Sequence, residues 1–213
     1  RPASMAPIGG FLVKSLLEVV QKENIPVFNK VRVNKLLQDD EGKVIGVEAN
    51  ADGLIKTIHA KAVILATGGF GASKEYMKRF RPDLADYKTT NQPGATGDGL
   101  KLAEGVGGEL MQMDLVQVHP TVQQDNPHVY LIGEAVRGEG AILVNAEGNR
   151  FVNELNTRKI VSNAITALPE HSAYLIFDQG IRDHAKAIEF YDKVGLVVHG
   201  DTIEDLAKNL NME

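Results

Sequence analysis

Apolar residues recur at helical spacing between residues 11 and 20, and the run Asn24-Ile25-Pro26 marks the end of that predicted helix. Strand-like segments follow at 30–37, 43–49 and 54–60. They are separated by two turn sequences, Asp39-Asp40-Glu41-Gly42 and Ala51-Asp52-Gly53. The pattern predicts a helix followed by a three-stranded antiparallel meander.

The next segment, residues 62–66, is continuously apolar, which is typical of a strand buried on both faces. It leads into Thr67-Gly68-Gly69, and small residues at the end of such a strand allow a ligand to approach the backbone. Taken alone, Ala66-Thr67-Gly68-Gly69 fits a tight turn as well as a ligand contact.

The rest of the chain mixes short helices with one further strand. Helices are predicted at 74–81, 100–104 and 157–168, and Pro82 and Pro169 end the first and the last of them. A strand is predicted at 172–177, and the remainder is predicted to be mostly helical. A domain boundary is placed near Asp114.

Composition excludes several classes of function. With 24% charged residues and a net charge of −5, nothing in the 213-residue chain favours nucleic acid or an anionic membrane surface. The chain has no Cys, which rules out disulfides, iron–sulfur ligation and Cys-based haem attachment within it. No metal-ligand spacing occurs, and no apolar run approaches the roughly 18 residues of a membrane helix. The compartment, cytoplasm or periplasm, stays open.

Two polar segments are candidates for a ligand site. The glycine-rich run 89–99 opens a predicted helix, where free backbone N–H groups suit a phosphate or the polar edge of a flavin. The segment 133–158 alternates charged residues with glycine, a density that indicates a polar site rather than a plain surface loop.

Together these segments resemble the flavoproteins of the fumarate reductase and succinate dehydrogenase family, in particular the soluble flavocytochrome c type fumarate reductases and the urocanate-reductase-like enzymes. The resemblance implies an α+β or α/β fold. Residues 1–113 would form part of an FAD-binding Rossmann-like domain, with a sheet and a β-meander. Residues 114–213 would form an incomplete α+β domain that caps the substrate.

The resemblance also implies which residues bind the cofactor and the substrate. The FAD contacts would be Ala66, Thr67, Gly68, Gly69, Asn91, Gln92, Gly94, Ala95, Thr96, Gly97 and Asp98. His119 would bind a substrate carboxylate, although a lone histidine in this context also fits a structural role. Gly133 and Glu134 would line the substrate site.

In this family, flavin passes a hydride to the C=C of an unsaturated carboxylate and an arginine protonates the neighbouring carbon. Arg158 matches that arginine, and Glu134 with Arg137 matches the relay that supplies it with protons. The alternative for Glu134 and Arg137 is an ordinary ion pair on the surface. If Asn156 or Thr157 caps the helix, Arg158 lies in its first turn, where the helix dipole disfavours a cation. That placement independently indicates an anionic partner or ligand.

One residue departs from the pattern of the fumarate-specific members, which have Thr where this chain has Gly133. The missing hydroxyl puts fumarate itself in doubt and leaves room for a larger acid, such as urocanate or an aryl acrylate. The remaining acidic and histidine candidates are predicted to be surface or core-edge residues: Glu139, Glu154, His128, His171, His184 and His199.

No Gly-x-Gly-x-x-Gly motif opens the chain, and the family's late His, Arg and final flavin segment are not found. We therefore expect the middle of a longer enzyme that is inactive in isolation, acts on a small unsaturated carboxylate and has an unspecified electron donor. Two alternatives remain. One is an inert structural fragment without flavin. The other is the reverse reaction, that of a succinate or aspartate dehydrogenase or oxidase.

Overall fold

The computed structural model describes residues 8–124 and 128–212, which form two compact units. The first contains residues 8–66 and 99–109, and the second contains the described residues of 67–98 and 110–212. The helices are α1 Ile8–Lys22, α2 Lys74–Phe80, α3 Asp98–Glu104, α4 Glu134–Gly138, α5 Arg158–Thr166, α6 Gln179–His184, α7 Ala187–Lys193 and α8 Ile203–Asn209. The strands are β1 Val31–Gln38, β2 Val44–Ala51, β3 Leu54–His59, β4 Val122–Gln123, β5 Tyr130–Leu131, β6 Ile142–Val144 and β7 Tyr174–Ile176.

The predicted meander is confirmed, with β1, β2 and β3 antiparallel and in sequence order. At the second turn Asp52 and Gly53 both have positive φ, 51° and 84°, as a tight hairpin requires. The Asn50 side chain closes this turn by accepting a hydrogen bond from the Gly53 N–H at 2.9 Å. Leu36 and Ala49 are the buried residues of the sheet's apolar face.

The predicted buried strand at 62–66 is wrong for the described chain. This segment forms no strand, and the Ile64 side chain is 89% exposed. A strand needs neighbours that pair its N–H and C=O groups and cover both faces, and no described residue pairs with it. The first helix is likewise uncovered, because none of the residues of α1 is buried.

The second unit holds two small hydrophobic clusters beside two-stranded sheets. One cluster contains Val136, Ala141, Ala185 and Ile188. The other contains Leu143, Val161 and Ile165. Strand β6 pairs antiparallel with β7 and contributes Leu143 to the second cluster, and Leu175 of β7 packs against both clusters.

The predicted helices at 74–81, 100–104 and 157–168 and the predicted strand at 172–177 are confirmed with small shifts at their ends. Ser73 caps α2 and Thr157 caps α5, each through a side-chain oxygen that accepts a backbone N–H. The observed fold is thus a mixture of helices and small antiparallel sheets. The boundary near Asp114 stays a prediction.

Candidate active site

The two glycine-rich segments that were predicted to hold a cofactor lie side by side in the second unit. The Gly97 N–H donates to the Gly69 carbonyl at 3.1 Å, and the Ala72 N–H donates to the Ala95 carbonyl at 2.9 Å. Gly97 has φ of 79°, and a Cβ there would lie 2.7 Å from the Tyr76 ring. This position therefore requires glycine.

Side chains within the second segment stabilise its shape. The Gln92 Oε1 accepts the Gly94 N–H at 2.8 Å, and the Asn91 Nδ2 donates to the Thr89 Oγ1 at 2.9 Å. The Thr96 hydroxyl donates to the Asp98 carboxylate at 3.0 Å, at the start of α3. Residues 89–94, the first half of the segment, remain exposed.

The other segment has an open edge suited to a flat or phosphate-bearing ligand. Gly68 has φ of 76°, and nothing lies within 4 Å of a Cβ built on Gly68 or Gly69. Thr67, Gly68 and Gly69 are exposed, as is Ala66, which belongs to the first unit. Bare backbone with glycine conformations fits the close approach of a cofactor.

A cluster of charged side chains comes together from three segments distant in sequence. The Arg158 guanidinium, at the first residue of α5, donates hydrogen bonds to the Glu134 carboxylate and to the Gln117 Oε1. Glu134 is itself the first residue of α4. The anionic partner that the position of Arg158 indicated is therefore present.

His119 completes the cluster. Its Nε2 lies 3.3 Å from the Glu134 Oε1 but outside hydrogen-bonding geometry, and this buried nitrogen has no hydrogen-bond partner among the described residues. On the other side of the ring, Nδ1 lies 3.3 Å from the Thr121 N and 3.2 Å from the Thr121 carbonyl oxygen, and in the tautomer that carries its proton on Nε2 it accepts the Thr121 N–H. The ring is thus fixed, and Nε2 is left for a ligand.

Burial lowers the pKa of His119, and the nearby Arg158 lowers it further against the opposing effect of Glu134. The pKa of Glu134 is also lowered, first by the Glu134 backbone N–H and then by Arg158. At neutral pH the pair is accordingly a neutral imidazole beside a carboxylate that stays ionised.

Arg137 lies one helical turn after Glu134 and is only 4% exposed. Its Nη1 donates to the Glu154 carbonyl at 2.8 Å, whereas its buried Nε has no partner among the described residues. Burial lowers the pKa of Arg137. Glu134, Arg137 and Arg158 all line one pocket of about 280 Å³, although no hydrogen bond joins Arg137 to Glu134 within the described chain.

Glu154 was predicted to be a surface or core-edge residue, and this prediction is wrong. The side chain is 3% exposed because three N–H groups satisfy its carboxylate: two from Arg150, at 2.9 Å and 2.6 Å, and one from Leu143 at 2.8 Å. The spacing Arg150-x-x-x-Glu154 was the sequence signal for this pair. The other five candidates of that group are exposed, as predicted: Glu139, His128, His171, His184 and His199.

Three further residues of the site were missed. Gln117 and Thr121 lie two residues either side of His119, and this closeness in sequence was the usable signal. Tyr191 accepts the Gly133 N–H at 3.0 Å from 58 positions away, and no local pattern indicates that contact.

Comparison with known proteins identifies the family. The sequence model of the FAD binding domain family matches residues 2–196. The chain belongs to this FAD-binding family. It is 41% identical to the NADH:fumarate oxidoreductase of Klebsiella pneumoniae (strain 342), over 100% of this chain and 23% of that protein. It is 42% identical to the fumarate reductase (cytochrome) of Shewanella frigidimarina, over 98% of this chain and 36% of that protein.

Among solved structures, the open conformation of a flavocytochrome c3 fumarate reductase superposes with a TM-score of 0.79 at 38% identity. The match covers 100% of this chain and 38% of that chain. The predicted family and its FAD cofactor are thereby confirmed, and the chain spans less than two fifths of the length of these FAD-binding relatives. Within residues 8–124 and 128–212, no helix has the length and apolar character needed to cross a membrane.

Proposed function

We propose that this chain is the central part of an FAD-dependent reductase of unsaturated carboxylates, in which Arg158 is the proton donor. One observation supports the proposal above all. Arg158, Glu134 and His119 meet in one cluster although they come from separate segments of the chain. The division at Asp114 into FAD-binding and capping domains belongs to the same proposal.

The cofactor would rest on the exposed glycine edge at 67–69 and on the adjacent loop at 91–98. When bound and reduced, FAD supplies a hydride for one carbon of the substrate double bond. The chain's own task is then to hold the substrate carboxylate, to keep water away and to protonate the second carbon.

His119 would donate its free Nε2–H to a substrate carboxylate, since Thr121 already engages Nδ1. Arg158 would give one guanidinium proton to the second carbon as the hydride arrives at the first, so the double bond becomes a saturated CH–CH unit. A free neutral arginine is costly. Glu134 beside it, ionised at rest, therefore has to accept a proton from the relay and pass a proton on to Arg158 in the same event, so that Glu134 ends the step ionised again.

Arg137 would pass the replacement proton to Glu134 from the solvent side. Its burial lowers its pKa, which reduces the cost of handing on a proton. Arg137, Glu134 and Arg158 line one pocket, where a water molecule would bridge the gap between the first two.

The substrate class follows from the space at Gly133. Among the residues that the structure describes, and leaving aside its chain neighbours, a Cβ at this residue would meet only the Tyr191 hydroxyl, at 3.8 Å. We propose an acid larger than fumarate, such as urocanate or an aryl acrylate. The same geometry serves the reverse reaction, which would make the enzyme a succinate or aspartate dehydrogenase or oxidase. The two directions differ only in the flavin reduction potential and in the electron partner.

The isolated chain is proposed to be inactive and to lack flavin. Its first helix has no buried residue, and Ile64 is 89% exposed beside the glycine edge. The first helix and the segment around Ile64 both need to be covered by other parts of the protein before a cofactor site is complete. The visible absorption spectrum of the purified chain tests this point, and a yellow protein would contradict it.

Replacing Arg158 tests the proposed reaction in the full-length protein that contains this chain. For Arg158→Lys we expect kcat for urocanate, fumarate and cinnamate to fall about 1,000-fold, because general acid catalysis contributes about 10²–10⁴-fold. Flavin absorbance should be unchanged. Arg182→Lys, at a partly buried ion pair with Asp192 that the proposed site does not include, is the matched control. Normal turnover by Arg158→Lys would refute the proton-donor role.

A further inference from the structure

Tyr191 links helix α7 to the residue that precedes Glu134. Its phenolic oxygen accepts the Gly133 N–H at 3.0 Å. Gly133 is the N-cap of α4 and has no side chain with which to cap that helix. The hydroxyl therefore fixes the peptide from outside the segment.

The Tyr191 ring is itself held firmly. It packs against the buried cluster of Val136, Ala141, Ala185 and Ile188. The neighbouring Phe190 ring adds an edge-on contact at 6.0 Å. A hydroxyl on a ring anchored in this way is a fixed reference point for the Gly133 peptide.

Gly133 needs such an anchor because glycine restricts the backbone least. Ile132, one residue earlier, is held by Thr121, whose carbonyl accepts the Ile132 N–H at 3.0 Å and whose hydroxyl donates to the Ile132 carbonyl at 2.7 Å. At Gly133 the corresponding restraint is Tyr191, whose hydroxyl accepts the Gly133 N–H and lies 3.8 Å from a Cβ built there.

Glu134 follows directly, and its carboxylate has to meet both Arg158 and His119 at once. We propose that Tyr191 is a positioning residue, which holds the Gly133 peptide so that the Glu134 carboxylate stays in place to supply Arg158 with protons. The catalytic part of this inference rests on the proposed function. The positional part does not.

Hydrogen–deuterium exchange in the full-length holoenzyme tests the positional part. In Tyr191→Phe, the amide of Gly133 should exchange at least tenfold faster, because its acceptor is gone. Tyr174→Phe is the matched control, since the Tyr174 hydroxyl has no hydrogen-bond partner among the described residues and sits 37% exposed on β7. An unchanged Gly133 exchange rate in Tyr191→Phe would overturn the inference whatever the enzyme reduces.

Turnover with urocanate, fumarate and cinnamate tests the catalytic part. We expect Tyr191→Phe to lower kcat about tenfold with little change in KM, because a misplaced reacting group costs up to about a hundredfold. The acid limb of the kcat–pH profile should move to higher pH, since Glu134 loses part of its contact with Arg158 while still facing His119 and Arg137. A merely structural role would lower the thermal midpoint without moving that limb.

A second substitution provides a rescue. Adding Gly133→Ala to Tyr191→Phe narrows the backbone freedom at φ −63° and ψ 153°, a conformation that alanine adopts readily. The kcat of the double variant should be about three times that of Tyr191→Phe alone. Failure of the rescue together with an unmoved pH profile would overturn the catalytic part. If the unaltered enzyme reduces none of the three acids, the proposed function fails, and the exchange result alone decides the role of Tyr191.

Discussion

The pair of Glu134 and Arg158 and the pair of Glu154 and Arg150, both in the second unit, differ in their burial and in the distance along the sequence between their members. In the pair of Glu134 and Arg158, both side chains are partly exposed, at 44% and 42%, and the residues are 24 positions apart. In the pair of Glu154 and Arg150, the carboxylate is 3% exposed and its partner is four residues away.

On this difference we propose that the pair of Glu134 and Arg158 is the reactive pair and that the pair of Glu154 and Arg150 is structural. An exposed ion pair contributes only about 0–1 kcal/mol to stability, so stability does not account for bringing Glu134, Arg158 and His119 together. A buried carboxylate that accepts three N–H groups is fully satisfied and fixes the strand that donates one of them. We infer that Glu134 is placed for chemistry and Glu154 for the architecture of β6.

The largest effect is expected at the reactive pair. Glu134→Gln keeps the shape of the side chain but removes the negative charge and the ability to accept and pass on a proton. In the full-length enzyme, kcat should fall about 100-fold, while the thermal midpoint stays within about 2 °C. Steady-state turnover and thermal unfolding check both halves. A large loss of stability with normal turnover would reverse the assignment of the two pairs.

The structural pair should give the opposite result. Glu154→Ala leaves the buried Leu143 N–H without an acceptor and Arg150 without its carboxylate, so it should cost about 2 kcal/mol. That corresponds to a fall of about 4–8 °C in the thermal midpoint of the unit. Glu147→Ala, an exposed residue of the turn between β6 and Arg150, is the control. Equal midpoints for the two variants would contradict the structural role.

The pH dependence of stability provides a further test of the role of Glu154. Burial raises the pKa of Glu154, but the hydrogen bonds from Arg150 and from the Leu143 N–H outweigh it and leave the pKa below its ordinary value. Its contribution to stability is thus complete above an unfolded-state pKa of about 4.3, and is lost as pH falls through the lower folded-state value. The midpoint difference between the unaltered protein and Glu154→Gln should therefore shrink between pH 6 and pH 3. A difference independent of pH would contradict this account.

The smallest effect is expected next to the reactive pair. Gly133→Thr adds a hydroxyl where a Cβ has room, and one hydrogen bond to a substrate carboxylate is worth about 1 kcal/mol. The ratio of kcat/KM for fumarate to that for urocanate should rise about fivefold. Gly133→Ala adds the carbon without the hydroxyl and should leave the ratio near its starting value. An equal rise of this ratio in both variants would show that the volume of the added side chain, and not its hydroxyl, causes the effect.

Local contacts explain which elements were predictable. The meander rests on alternation, and its turns rest on residues such as Asp52 and Gly53 that tolerate positive φ. The α5 start was predictable because Thr157 satisfies N–H groups a few residues away. The segment at 62–66 was not, since a buried strand exists only where other segments pair with it and cover it, and none does so among the described residues.

The candidate site divides in the same way. Its named residues, His119, Glu134, Arg137 and Arg158, came from motifs and family likeness, and their roles stay predictions. The contacts that orient them, from Gln117, Thr121 and Tyr191, emerged only from the structure. Glu154 was misjudged because its burial depends on how β6 packs against α5, which no spacing reveals.

The sequence by itself determined the meander, the helix caps, the family and the identity of the charged residues in the site. These depend on side-chain chemistry and on neighbours within a few positions. Tertiary structure alone decided which glutamate is buried, which arginine meets which carboxylate, and that a tyrosine on α7 holds Gly133. The contacts of Glu134 with Arg158 and of Gly133 with Tyr191 join residues 24 and 58 positions apart, and the burial of Glu154 depends on Leu143, 11 positions away; packing of the unit rather than a local pattern settles which of these segments meet.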